Sequence, residues 1–158
     1  MRRVVVTGLG MVSPLGNDVQ TSWDNLIAGK SGIGKITRFD PSDLGCQIAG
    51  ELKGFNIEQY MPAREARRYD RFIHYGIAAS SQAIADAGFD FEKENMKRFG
   101  CAVGSAIGGL SVICDNEKTY LERGVKRVSP FMITGAIINM VSGQLSIMHG
   151  FKGPNIAH

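Results

Sequence analysis

A thiol with a nearby base is the first chemistry these side chains invite, since Cys101, Cys114, His74, His149 and His158 are all available for it. Their surroundings speak for plainer roles. Cys101 lies in the apolar run from Phe99 to Ile107, where a thiol acts as a small hydrophobe, and His149 closes an apolar helix, where it complements the dipole. His74 reads as a surface or packing residue. Cys46, Cys101 and Cys114 form no C-x-x-C pair, which argues against a disulfide framework or a structural zinc site. With no carboxylate pair or metal-ligand cluster at a convincing spacing, the residues alone assemble no complete catalytic constellation, and neither a metal nor an organic cofactor is predicted.

Two glycine runs resemble nucleotide sites only superficially. Thr7-Gly8-Leu9-Gly10 has Ser13 in place of the third glycine of G-x-G-x-x-G and lacks the acidic residue expected about 20 positions on, so it reads as a tight strand exit. Gly104-Ser-Ala-Ile-Gly-Gly109 lacks both the lysine of a P-loop and the central serine of a G-x-S-x-G elbow. It reads as close packing, or as the lining of a narrow pocket. The basic cluster is different. On a continuous helix, Arg64, Arg67, Arg68 and Arg71 would share one face, and that density of like charge favours an anionic partner over an ordinary solvated face.

The elements that must position these residues follow from periodicity and punctuation. Arg3 to Gly10 is Val-rich, as in a central strand buried on both faces. Asn17-Asp18 caps a short helix with Val19, Trp23, Leu26 and Ile27 on one face, ended by Gly29. Residues 30–62 form a loop-rich excursion with one strand at 47–52. Arg64 to Ala87 predicts a single helix whose Tyr69, Ile73, Ile77 and Ile84 form its apolar stripe, opposite the arginines. Phe99 to Ile107 predicts a buried strand, turned by Gly108-Gly109 into a helix near Leu110 to Leu121. After a start or bend at Ser129-Pro130, Ile137 to Met148 predicts one helix apolar nearly all round, stopped by Gly150, and Gly153 to Ala157 begins a further strand.

The 158 residues, 44% of them hydrophobic, suffice for one domain or part of a larger one. No stretch approaches the roughly 20 apolar residues of a membrane helix, and the N-terminus lacks a secretory apolar region. A soluble protein of the reducing cytoplasm is expected. The net charge of +3 sets up no global field for nucleic acid.

Arg3-Val-Val-Val-Thr-Gly-Leu-Gly-Met-Val-Ser-Pro-Leu-Gly16 resembles the opening of bacterial type II β-ketoacyl-[acyl-carrier-protein] synthases. Trp23, Ser31-Gly-Ile33, Asp70-Arg-Phe72, Gly104 to Leu110, Ser129-Pro-Phe131 and Gly150-Phe-Lys-Gly-Pro154 extend the likeness along the whole chain. The resemblance implies an α/β, thiolase-like fold, of which residues 1–158 would be most of the N-terminal half of an α-β-α-β-α layered architecture, incomplete and truncated before the nucleophile elbow. It implies a homodimer and a condensing enzyme that extends acyl-ACP with malonyl-ACP, with acyl carrier protein as partner. The family's elbow cysteine would follow Pro154 by a few residues more than this chain supplies, so the chain itself is expected to be inactive. His158 stands where the resemblance has an apolar residue. By the same likeness Ile107 is the gate residue of the acyl pocket, Met132 a pocket wall contributed across the dimer, and Arg64, Arg67 and Arg68 the carrier-protein docking surface. Two rival readings are a type I or polyketide-type ketosynthase relative and a non-catalytic carrier-protein-binding module.

Overall fold

The computed structural model describes residues 2–158, in two compact units. One comprises the chain up to Asn56 together with Ala79–Gly88, the other Ile57–Ala78 together with Phe89–His158.

In the first unit, Asp18 caps helix α1 (Val19–Ile27), its carboxylate accepting from the Thr21 amide at 2.7 Å and the Thr21 hydroxyl at 2.8 Å. These donors hold the Asp18 carboxyl below its usual range. The expected apolar face is present, but Trp23, Leu26 and Ile27 remain largely exposed. Strands β1 (Ile33–Lys35) and β2 (Ile48–Gly50) form a short antiparallel ribbon.

The Val-rich segment is not a strand. Val4 is 92% exposed, and residues 3–10 pair with no strand among the described residues. The reason lies in what the backbone meets. Leu9 and Met11 donate their N–H groups to the side chains of Asp86 and Gln82, at 2.8 and 3.0 Å, and Gly10 abuts the helical backbone at Ala79 so closely that no side chain fits. At Leu9 and Met11 the backbone donors are thus taken by side chains of α3's C-terminal half, and no neighbouring strand is present among the described residues to form a ladder.

In the second unit, α2 (Ala63–Ala66) and α3 (Arg71–Ala87, continuing into the first unit) replace the single helix predicted from Arg64. Continuation would require the Asp70 amide to bond the Ala66 carbonyl. Instead the Asp70 N–H donates to the Gly135 carbonyl at 3.2 Å, while Ala66 O accepts from the His74 ring Nε2 at 2.8 Å and the Tyr69 amide at 3.1 Å. The arginines therefore do not share one face of one helix.

Strand β3 (Cys101–Val103) is shorter than expected and pairs in parallel with β4 (Asn155–Ala157), whose strand was anticipated. The turn after β3 leads into α4 (Leu110–Arg123), close to its predicted place. The long apolar helix expected over 137–148 is broken like the basic one. Helix α5 (Met132–Ala136) ends and Ile137 turns extended, and its last carbonyls find tertiary donors instead of helical ones: Gly135 O accepts from the Asp70 amide and Ala136 O from the Gly109 amide at 2.8 Å. Helix α6 (Met140–His149) then begins afresh, and Gly150 stops it in the left-handed conformation at φ 70°.

The core of this unit joins α3 to α6. Ile73 and Ile77 are 0% exposed, packed in one cluster with Met61, Ala66, Val141 and Leu145, and each buried large apolar side chain is worth roughly 1.5–3 kcal/mol. Cys101 packs against this cluster, in keeping with its reading as a small hydrophobe. Among the described residues no helix is long and apolar enough to cross a membrane.

His149 does more than complement a dipole. Its ring stacks on Phe151 at a centroid distance of 5.3 Å and tilts against Phe91 at 5.7 Å, and its Nε2 is shielded with no partner among the described residues. Loss of hydration lowers its pKa. The unfolded chain then takes up the proton first as pH falls through about 6.5, so folded stability is present above that value and is lost below it. Thermal denaturation from pH 7.5 to 5.5 should show a falling midpoint, and the fall should be shallower in His149→Phe; parallel curves would deny His149 that share.

Candidate functional site

Two cavities flank the junction where Asp70 meets Gly135, and both lie within the second unit. The first, about 570 Å³, is apolar, with Ile107, Ile113, Met132, Ile133, Ile137 and Ala157 in its walls. The turn after β3 presents Ile107, which is 67% exposed, and its geometry is set by the Gly108 amide donating to the Ser105 hydroxyl at 3.1 Å. The glycine run is thus a turn at a pocket mouth, not a phosphate loop. Met132 opens α5 and is half-buried. Ile107 and Met132 line the same cavity within one chain, whereas the resemblance has Met132 serving the partner's pocket. A space of this size walled by isoleucine and methionine suits an alkyl chain and offers little to a charged group.

The second cavity, about 360 Å³, is polar, with Glu58, Arg67, Asp70, Arg71, His74 and Asp115 in its walls. Arg64 lies on α2 and Arg67 caps that helix; both are exposed. Arg68 is half-buried in the following turn, its guanidinium carbon 4.7 Å from the centre of the Phe131 ring, a cation–π contact. Among the described residues no carboxylate pairs with Arg64, Arg67 or Arg71. The three predicted docking arginines therefore sit within five consecutive residues, though on a helix and turn instead of one helical stripe.

Asp70 was legible only as part of a motif, yet it organises the site. It is 8% exposed, and its carboxylate accepts from the Val112 amide at 3.0 Å and from the Phe72 amide at 3.4 Å. Val112 is in the first turn of α4, whose cap residue Gly109 has no side chain to satisfy those amides. Asp70 supplies from a distance in sequence the acceptor that a local serine or aspartate normally provides. A single signal was available: an aspartate inside an arginine-rich segment, a residue type that favours turns and caps over a helix interior. The thiols and imidazoles converge on no common centre: Cys46 and Cys114 are exposed, Cys101 packs on the core, and His74 is committed to Ala66. Among the described residues no cluster of His, Cys, Asp or Glu could hold a metal ion.

The family described as beta-ketoacyl synthase, N-terminal domain, matches residues 1–158, and the chain belongs to that family. Its curated relatives include 3-oxoacyl-[acyl-carrier-protein] synthase 2 of Vibrio cholerae, 51% identical over 156 residues, and the protein of the same description from Synechocystis, 47% identical over 154 residues. These matches cover 99% and 98% of this chain but only 38% and 37% of the relatives. Among solved structures, a beta-ketoacyl synthase from Burkholderia phymatum superposes with a TM-score of 0.80 at 30% identity, over 99% of this chain and 39% of its own. A type II polyketide ketosynthase solved in complex with its acyl-carrier protein also gives 0.80 at 30% identity, over 96% of this chain and 40% of its own. The fold is therefore thiolase-like, and the chain covers its N-terminal part.

The junction leaves no room at Gly109, where a Cβ would stand 2.7 Å from both the Ala136 Cα and the Gly135 carbonyl and 3.0 Å from the Asp70 Cβ. Gly143, inside α6, faces open space. Gly109→Ala should destabilise by roughly 1–3 kcal/mol. Gly143→Ala should be neutral or stabilise by up to about 1 kcal/mol. Urea midpoints for the two variants test the packing directly, and equal midpoints would contradict it.

Proposed function

We propose that this chain contributes the acyl pocket and the carrier-docking surface of a β-ketoacyl-[acyl-carrier-protein] synthase, the condensing enzyme of type II fatty acid synthesis. The observation that carries the reading is the nearness, at one buried aspartate, of an apolar cavity fit for an alkyl chain to a run of arginines that no carboxylate neutralises among the described residues. Ile107 acts as the gate of that cavity and Met132 as a wall, with Met132 also available to a partner in a homodimer. Arg64, Arg67 and Arg68 receive acyl carrier protein.

In this reaction the enzyme's cysteine thiolate attacks the acyl-ACP thioester, releasing the carrier thiol. Malonyl-ACP then loses carbon dioxide, and the resulting carbanion attacks the acyl-enzyme carbonyl and expels the thiolate. The step needs neither a metal nor an organic cofactor. We assign no nucleophile or acid–base group to residues 1–158; their contribution is to bind the chain and receive its carrier, as an enzyme of the cytoplasm. A polyketide ketosynthase is the second reading, favoured by the likeness to the carrier-bound structure. The identity of 30% there against 51% to a fatty acid synthase relative supports the first.

Exposed charge pairs are each worth only about 0.2–1 kcal/mol, but a cluster of one sign steers encounter and orients the partner. In a synthase of the relatives' length carrying this segment, replacing Arg64, Arg67 and Arg68 by glutamate should raise KM for acyl-ACP at least tenfold, by roughly the sum of such pairs. Turnover of an acyl-pantetheine thioester should change little, and the wild-type KM for acyl-ACP should rise with salt. Equal losses on both substrates would sink the docking assignment.

A further inference from the structure

We propose that Asp70 is a positioning residue for chain-length choice: by tying the start of α4 to the end of α5, it sets the shape of the cavity between Ile107 and Met132. The inference rests on reading that cavity as the acyl site.

Most walls of the cavity hang from the elements that Asp70 joins, and the rest from the β3–β4 pair and from the link that leaves α5. Ile107 lies two residues before Gly109, Ile113 directly follows Val112, and Met132, Ile133 and Ala136 make up most of α5. Neither helix secures itself. Helix α5 has five residues and no side-chain cap, and α4 begins at a glycine that caps nothing. The start of α4 and the end of α5 are joined by three bonds at one point: the Val112 amide to the Asp70 carboxylate at 3.0 Å, the Asp70 amide to the Gly135 carbonyl at 3.2 Å, and the Gly109 amide to the Ala136 carbonyl at 2.8 Å. The glycines let the three backbones touch. A side chain at Gly135 would meet the Arg68 carbonyl at 2.7 Å, so the turn carrying Arg68 and Asp70 is packed directly on α5.

A carboxylate nearly out of water keeps this arrangement only while its donors stay in place, which makes the junction one arrangement and not a range of them. Loss of the carboxylate frees the first turn of α4 and, with it, Ile107 and Ile113. The cavity then widens or collapses at its mouth, where a long chain must pass and a short one need not.

The ordinary alternative is that Asp70 is a helix cap and nothing more. Such a cap lowers stability and leaves the preference between substrates untouched. The two are separated in a synthase of the relatives' length by kcat/KM for hexadecanoyl- and butanoyl-pantetheine, substrates that bypass carrier docking. Asp70→Ala should change the long-to-short ratio roughly tenfold. Asp70→Asn, which keeps an acceptor oxygen in the same place, should restore most of it. Where the alanine variant does not fold, Asp70→Ser carries the comparison, since its hydroxyl can serve Phe72 but is too short for Val112. Ile107→Phe is the control for the cavity itself and should exclude the long chain while sparing the short one. A shifted ratio in Ile107→Phe with an unchanged ratio in Asp70→Ala or Asp70→Ser would overturn the positioning role and leave the acyl-site reading intact. An unchanged ratio in every variant would overturn both.

Discussion

The hydrogen bond from the Asp70 amide to the Gly135 carbonyl decides more of the second unit than any other single contact. A backbone donor can serve one helix or a tertiary partner, not both at full strength, and here the partner wins twice. Because the Asp70 amide points at Gly135, the helix running from Ala63 does not continue through it, and the Gly135 carbonyl, which a helix continuing from Met132 would aim at the Asn139 amide, is aimed at Asp70 instead. Both breaks are completed by neighbouring groups, His74 at Ala66 O and Gly109 at Ala136 O. The bond itself is an ordinary one, worth roughly 0.5–1.5 kcal/mol net, but its effect is multiplied by what it redirects.

Redirecting the two helices separates two kinds of surface. On the turn side, guanidiniums and carboxylates surround a polar cavity; beyond the junction, isoleucines and a methionine surround an apolar one. This division is physically economical. A charge near the apolar walls would have to be desolvated, whereas the arginines stay hydrated and, apart from Arg68 over Phe131, free to meet an anionic partner. Of the charged residues that line the polar cavity, Asp70 is the buried one, and it has donors of its own.

The sheets contribute differently. Each is a pair of three-residue strands, and such ribbons are marginal in water without a covering layer. The β3–β4 pair gains that layer from α6, whose Val141 and Leu145 are 2% exposed while Ile147 on its other side is 74% exposed. The aromatic group of Phe89, Phe91, Phe99 and Phe151, with His149 stacked into it, packs the segments leading into both strands.

Local chemistry alone was enough for α1, α4, the Gly150 stop and the strand at Asn155–Ala157, because a cap, a glycine or an apolar period within a few residues dictates each one. The family was equally legible, since its motifs are runs of consecutive residues. The likeness names Ile107 for the acyl pocket and Met132 for a partner's pocket across a dimer; in this chain both line one cavity. Three features were decided only by tertiary structure. Val4 to Val6 have every local mark of a buried strand, but a strand exists only with a neighbour to bond, and among the described residues no strand pairs with them. The basic and apolar helices have unbroken periodicity, which records the side chains a helix would bury and says nothing of whether a carbonyl 65 residues away will claim its amide. Asp70 looked like one polar residue among arginines, and its importance comes from burial and from donors on α4 and α5 that sequence spacing cannot reveal.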